Sequence, residues 1–197
     1  WLRRPVHDYI GRFHRRSRRV FTPGLLARDD LHALGVIDVE VWGRGVDVGR
    51  FHPRHRSDMV RQAYGGRDTF LLLHVGRLAA EKGVERILEG FAAAREALPD
   101  RDVRLVIAGM GPREAELRAA APDGVTFLGN LDRQAMLPTL YASADAFLFS
   151  SHTETLGLVI LEAMASGLPV VAARAGGVAD HLRDGVNGLA YPPGDTA

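Results

Sequence analysis

From Thr69 onward, continuous apolar runs alternate with stretches in which apolar residues recur at every third or fourth position. Phe70, Leu71, Leu72, Leu73, His74 and Val75 form one such run, closed by Gly76, as expected of a strand covered on both faces. Val84, Ile87, Leu88, Phe91 and Leu98 then share a helical face until Pro99 stops the pattern. The alternation continues with a strand from Val103 to Ala108, closed by Gly109, Gly111 and Pro112, and a helix through Leu117. A strand over 125–128 ends at Gly129; Asp132 is a candidate N-cap, and Pro138 marks the first turn of the regular helix beyond it. A strand from Ala146 to Phe149 precedes a helix carrying Leu158, Leu161, Met164 and Ala165. A strand over 169–173, a helix over 178–182 and a small edge strand from Gly188 to Tyr191 complete the series. Strand and helix units joined this tightly predict a Rossmann-like α/β fold, a doubly wound parallel sheet that binds ligands at the carboxyl ends of its strands.

The first part of the chain has a different rhythm. A short strand at Val20 and Phe21, a helix over 25–34 and a strand over 39–42 precede the Gly-rich stretch Gly43, Arg44, Gly45, Val46 and Asp47. Too few elements stand here to enclose a core, so residues 1–46 are expected to be the end of a preceding domain with its linker, and 47–197 the ligand-binding domain. At 197 residues the chain is long enough for one such domain and a remnant.

Charge changes this picture little. A formal net charge of +1 gives no broad basic field, so nucleic acid is not an expected partner. Arg3, Arg4, Arg12, Arg15, Arg16, Arg18 and Arg19 crowd the beginning, a run read as a solvated surface that could also meet anionic lipid. With no cysteine, disulfides and thiolate metal sites are excluded. No apolar run approaches the roughly 20 residues of a membrane-spanning helix. Because the chain starts at Trp1 without a signal pattern, it is expected to be an internal piece of a longer protein. Of its 25 basic residues other than histidine, Lys82 is the one lysine.

Four segments carry candidate chemistry. Glu154 and Glu162 stand eight residues apart across a predicted loop-to-helix junction, with Gly157 at the helix start. There the backbone N–H groups of Thr155, Leu156, Gly157 and Leu158 are free to face an anion, and the helix dipole adds to the attraction. Glu154 could accept hydrogen bonds from sugar hydroxyls and Glu162 from ribose hydroxyls; two exposed acids, one a cap and one on a solvated helix face, would give the same spacing. Gly76, Arg77 and Lys82 form the second segment, offering two fixed cations for a diphosphate. The third is the turn Gly109, Met110, Gly111 and Pro112, and the fourth is Ala175, Gly176 and Gly177; both are close-approach sites or simple tight turns. Asp100 and Asp102 match a D-x-D metal pattern but precede a strand, the wrong end of such a sheet for ligands, and are read as turn residues with no metal.

In combination and order these segments resemble the family 4 retaining glycosyltransferases, whose GT-B fold sets two Rossmann-like domains face to face. The matching residues run from Gly45, Val46 and Asp47, with Phe51 and Pro53, through Gly76, Arg77, Glu81, Lys82 and Gly83. They continue with Gly109 to Pro112, Phe127 to Gly129, Tyr141, Ala144 and Asp145, then Ser151, residues 154–165, Gly167 and Pro169 to Val171. Gly176, Gly177, Asp184, Gly185, Asn187 and Gly188 close the series. The resemblance implies that Arg77 and Lys82 bind the donor diphosphate, Glu154 the transferred sugar and Glu162 the ribose, with Glu154, Arg77 and Lys82 as the catalytic set. It places Gly76, Gly109, Gly111 and the backbone of Thr155, Leu156, Gly157 and Leu158 around phosphate and sugar, and Leu131 against the base. No cofactor and no metal are implied; the donor substrate is a nucleotide-diphosphate sugar.

Within that family, residues 154–159 and 174–177, with Trp42 and Gly45 to Asp47, are similar to the branch making sulfoquinovosyl diacylglycerol, and lipid-mannosylating and lipid-glucosylating branches are close in pattern. The resemblance implies a UDP donor first, a lipid acceptor and a cytoplasmic enzyme peripheral at the inner face of the membrane. The acceptor-binding half is absent from the sequence, and the family's closing helix is cut at Ala197, so the chain alone is expected to be inactive. Two alternatives share the fold: a sugar-nucleotide epimerase of GT-B architecture, and a non-catalytic nucleotide-binding module.

Overall fold

The computed structural model describes residues 3–193; the chain ends at Trp1 and Ala197 fall outside them. In chain order its elements are α1 (Arg3–His14), β1 (Val20–Thr22), α2 (Leu25–Ala33), β2 (Val39–Val41), α3 (Asp58–Ala63), β3 (Phe70–Val75), α4 (Val84–Ala97) and β4 (Val103–Ala108). They continue with α5 (Glu114–Ala120), β5 (Val125–Gly129), α6 (Leu137–Ser143), β6 (Ala146–Phe149), α7 (Leu158–Ala165), β7 (Val170–Ala173) and β8 (Gly188–Tyr191). Short 3₁₀ turns occupy Pro53–His55, Ala80–Lys82 and Gly176–Asp180.

Six strands form one parallel sheet in the order β5-β4-β3-β6-β7-β8. From β3 the chain winds outward through β4 and β5, then returns to lay β6 on the other side of β3. That reversal makes the β3/β6 boundary the topological switch point, where a doubly wound sheet opens a crevice at its carboxyl edge. Apolar side chains fill both faces. One core layer holds Leu71, Leu73, Tyr141, Phe147 and Ile160; the other holds Leu72, Leu78, Ile87, Phe91 and Leu105. Of the residues expected on one helical face, Val84, Ile87, Leu88 and Phe91 are buried in α4, whereas Leu98 follows its last residue and is exposed. Its start is Gly83, in the left-handed region at φ +60°.

β1 and β2 pair as a separate parallel two-stranded sheet. α2 joins this small sheet to the main body: the Leu25 N–H donates to Asp180 Oδ2 at 2.8 Å. Between the two parts, Phe51 inserts into the first core layer, its ring 5.8 Å from that of Tyr141.

Three elements depart from the sequence reading. The first part of the basic run, through Arg12, lies in a helix, α1, with Val6, Tyr9 and Phe13 exposed on it, and Arg15 to Arg19 follow in the turn before β1. α3 stands where no helix was expected; Arg61 on it, 4 % exposed, reaches Asp145 and the carbonyls of Ser143, Arg67 and Thr69. The helix expected over 178–182 is the 3₁₀ turn Gly176–Asp180, because Gly176 and Gly177 press against the backbone of the 154–155 loop and leave too little chain for an α-helical turn.

Candidate active site

Two loops meet at the switch point: residues 76–83 after β3 and 150–157 after β6. Hydrogen bonds clamp them together, since the Ser150 hydroxyl lies 2.7 Å from the Lys82 carbonyl and 2.8 Å from that of Gly83. This clamp fixes where the lysine points. Lys82 Nζ stands 2.7 Å from Glu154 Oε2, with the two side chains only 20 % and 22 % exposed. The single lysine and the first acid of the pair are thus one ion pair across the crevice.

Behind Glu154 the loop turns through Gly157, at φ +72°, into α7. Among the described residues, the N–H groups of Thr155, Leu156, Gly157 and Leu158 donate to no backbone carbonyl, as the first N–H groups of a helix do, with Leu156 and Gly157 buried and Thr155 exposed. The loop is held from behind by Gly177, whose N–H donates to the Glu154 carbonyl at 2.7 Å. A Cβ on Gly176 or Gly177 would overlap the carbonyls of Glu154 and Thr155, so the fourth glycine segment serves loop packing.

The Gly109 and Gly111 turn is explained in the same way. A side chain on Gly109 would overlap the Gly76 carbonyl, and one on Gly111 the backbone of Leu78. Both glycines let the β4 loop lie against the β3 loop, sealed by Gly76 N–H to the Ala108 carbonyl at 3.0 Å and Leu78 N–H to the Met110 carbonyl at 3.0 Å. Gly111 faces this seam, whereas Gly109 also borders a cavity of about 390 Å³ lined by Gly76, Arg77, Met110, Asn130, Leu131 and Leu137. Arg77 therefore stands at the cavity wall opposite Leu131. It is 65 % exposed, its one ion pair is a loose contact with Glu81 at 3.7 Å, and it does not touch Glu154.

Glu162 differs from both sequence expectations. It is 1 % exposed, so it is neither a solvated helix acid nor an open acceptor. Arg133 Nε donates to its Oε1 at 2.8 Å, with Nη2 on the same oxygen, and the Tyr141 hydroxyl donates to Oε2 at 3.2 Å. Tyr141 is itself fully enclosed, and burial first, then the Glu162 charge, raises its phenol well above the ordinary range. Sequence reasoning passed over Arg133. Only its neighbour Asp132 stood out, whose Oδ1 accepts the N–H groups of Gln134 at 2.6 Å and Ala135 at 3.0 Å; those bonds lower its carboxyl pKa.

Asp102 lies at the amino end of β4, away from this rim. Its oxygens accept the Thr69 hydroxyl at 2.7 Å and Arg104 Nε at 2.7 Å, and the Thr69 bond is the main cause of its lowered pKa.

The arrangement brings Lys82 and Glu154 together at the carboxyl edge of the sheet, beside the start of α7, with Arg77 on the adjoining loop and Glu162 buried within the helix. The model of the family described as Glycosyl transferases group 1 matches residues 69–197, the whole stretch that carries these groups. The chain belongs to this family. It is 38 % identical over 204 residues to the sulfoquinovosyl transferase SQD2 of Arabidopsis thaliana, covering 99 % of this chain and 39 % of the relative. It is 39 % identical over 183 residues to a GDP-mannose-dependent alpha-mannosyltransferase of Corynebacterium glutamicum, covering 92 % of this chain and 42 % of that protein. The chain thus spans less than half the length of these relatives. Among solved structures, Anabaena Alr3699/HepE in complex with UDP-glucose superposes with a TM-score of 0.82 at 26 % identity, over 100 % of this chain and 56 % of that one. The fold is that of the Rossmann-like domains of GT-B glycosyltransferases.

Proposed function

We propose that this chain is the donor-binding half of a retaining glycosyltransferase that takes a sugar from a nucleotide diphosphate, UDP in the first instance, and delivers it to a lipid acceptor. The observation that carries the reading is the Lys82–Glu154 pair at the switch point, beside the amides of 155–158. Arg77 and Lys82 hold the diphosphate, Glu154 accepts hydrogen bonds from the transferred sugar, Glu162 accepts the ribose, and the base lies against Leu131. The diphosphate gives Lys82 a second anionic partner and thereby frees Glu154 for the sugar. As the glycosidic bond to the diphosphate breaks, negative charge grows on the leaving oxygen, and in this reading Lys82, Arg77 and the amides of 155–158 stabilise it in place of a metal. The acceptor hydroxyl attacks from the face the diphosphate leaves, which retains the anomeric configuration.

The relatives' names support a nucleotide-sugar donor. The exposed Tyr9 and Phe13 of α1, next to Arg12 and Arg16, suit a protein that works at an anionic membrane surface without crossing it. No helix among the described residues is long and apolar enough to span a bilayer. Residues 1–46 belong in this reading to the acceptor domain and 47–197 to the donor domain. The test is to titrate UDP and GDP into the chain, follow the amides of 155–158 by NMR, and assay sugar transfer. Shifts at those amides without turnover are expected. Undisturbed amides would remove the donor reading, and robust turnover would remove the division of labour between two halves.

A further inference from the structure

Arg133 stands on the turn between β5 and α6, two residues past Leu131 of the cavity wall, and it is the cation that reaches Glu162. The burial of the two partners is very unequal. The arginine is 56 % exposed and the acid 1 %. Exposed arginines gain little from surface ion pairs, but a buried carboxylate without a partner is strongly unfavourable, so the need of Glu162 is what holds the guanidinium down.

The donor pattern is informative. Nε and Nη2 are two adjacent N–H donors converging on one carboxylate oxygen. The two neighbouring hydroxyls of a ribose offer the same pattern, two donors a short distance apart aimed at one acid. We propose that Arg133 is a specificity-determining residue of the donor site: it occupies the ribose seat on Glu162 and yields it only to a ligand that brings a vicinal diol. This inference rests on Glu162 being the ribose acceptor. Exchange of guanidinium for diol keeps the buried carboxylate satisfied, with Tyr141 on the second oxygen throughout. A nucleotide lacking the diol either leaves Glu162 unpaired or leaves Arg133 in place and forgoes the contact, and a site built for hydroxyls rejects analogues without them on that ground. The displaced arginine returns to water, where more than half of it already lies. Its departure does not disturb the turn, because Asp132 holds the N–H groups of Gln134 and Ala135 independently of the Arg133 side chain.

The consequence is that Arg133 competes with the donor. A site whose open form is only partly populated binds with its intrinsic affinity reduced by that fraction. Removing an arginine from this cleft is therefore expected to tighten nucleotide binding, the opposite of what loss of a contact residue does.

The experiment compares the chain with its Arg133→Ala and Arg133→Gln variants, titrated calorimetrically with UDP and GDP and with their dideoxy analogues lacking both ribose hydroxyls. Heteronuclear NMR follows the Arg133 Nε–H signal, assigned by its loss in the variants. In the unsubstituted chain this signal is expected to be protected, to lose protection on saturation with the ribonucleotide, and to keep it with the dideoxy analogue. Arg133→Ala is expected to bind the ribonucleotide about tenfold more tightly and the analogue about as before. Arg133→Gln, which keeps a neutral donor near Glu162, guards against a folding defect and moves in the same direction by less. Weaker ribonucleotide binding by both variants, or an Arg133 signal that survives saturation while the amides of 155–158 shift, would overturn this proposal alone. Absence of shifts at those amides would remove the donor reading and this proposal with it.

Discussion

His74 shows how strongly one position in the central strand is constrained. It is fully buried, its ring 6.5 Å from that of Phe147 and 6.3 Å from that of Phe149, and its nitrogen Nδ1 lies 3.0 Å from the Leu148 carbonyl, a contact only an Nδ1–H can make as a hydrogen bond. Nε2 is buried without a partner, so the ring is adapted to the neutral state. Burial chiefly, with a smaller push from the Lys82 charge against the Leu148 bond, lowers its pKa from 6.5 to about 4. Between those values the unfolded chain binds more protons than the folded one. Stability from this residue is therefore complete above pH 6.5 and declines as pH falls toward 4, by roughly 3 kcal/mol in total. Denaturant melts of the chain and of His74→Leu across that range are expected to differ in slope, with the variant flatter; parallel slopes would show that His74 titrates normally in the fold.

Glycine substitutions separate crowded from open backbone at the same scale. Gly109→Ala drives a methyl group into the Gly76 carbonyl at a positive φ of 141°, and is expected to lose on the order of 4 kcal/mol, much of a small domain's stability. Gly90→Ala lies in α4 with nothing within 4 Å of the added carbon, and is expected to gain about 0.5–1 kcal/mol of helix stability. Thermal or urea melts that move both variants in one direction would contradict this reading of the two sites.

Among the elements, legibility followed burial. β3, β4 and α4 were readable because both faces of the strands and one face of the helix are enclosed, which forces a continuous or a 3.6-residue apolar pattern. α3 is six residues long, with a polar residue, Arg61, as its buried position, so it leaves no periodic apolar signal. α1 carries Pro5 and Gly11 among its arginines, and its apolar residues Val6, Tyr9 and Phe13 are exposed; its sequence reads as a charge run rather than as an element. The loops behaved likewise. Lys82 and Glu154 could be singled out by residue type and by position next to glycine, but their ion pair spans 72 residues and depends on the strand order, which no local pattern contains. The partners of Glu162 were hidden for the same reason: Arg133 is 29 residues away on another loop.

At the scale of the whole molecule, the sheet order determines the chemistry. Reversal at β3 places the loop carrying Arg77 and Lys82 beside the loop carrying Glu154, and the amino end of the sheet, where Asp102 sits, is left to structural bonds with Thr69 and Arg104. In the proposed reading, fixed cations and amides supply the positive field at the crevice. A chelator is accordingly expected to leave nucleotide affinity unchanged in calorimetric titration; loss of binding that magnesium or manganese restores would replace this account with a metal-dependent one.

The central claim is that Lys82 holds a diphosphate at the switch point, and the measurement that tests it most directly is a calorimetric comparison of UDP with uridine on the chain and on Lys82→Ala, with GDP and guanosine in parallel. For whichever base binds, the account predicts that the variant weakens the diphosphate by about tenfold or more, consistent with loss of a charge-assisted bond, and leaves the nucleoside unchanged. Equal losses for diphosphate and nucleoside would contradict it.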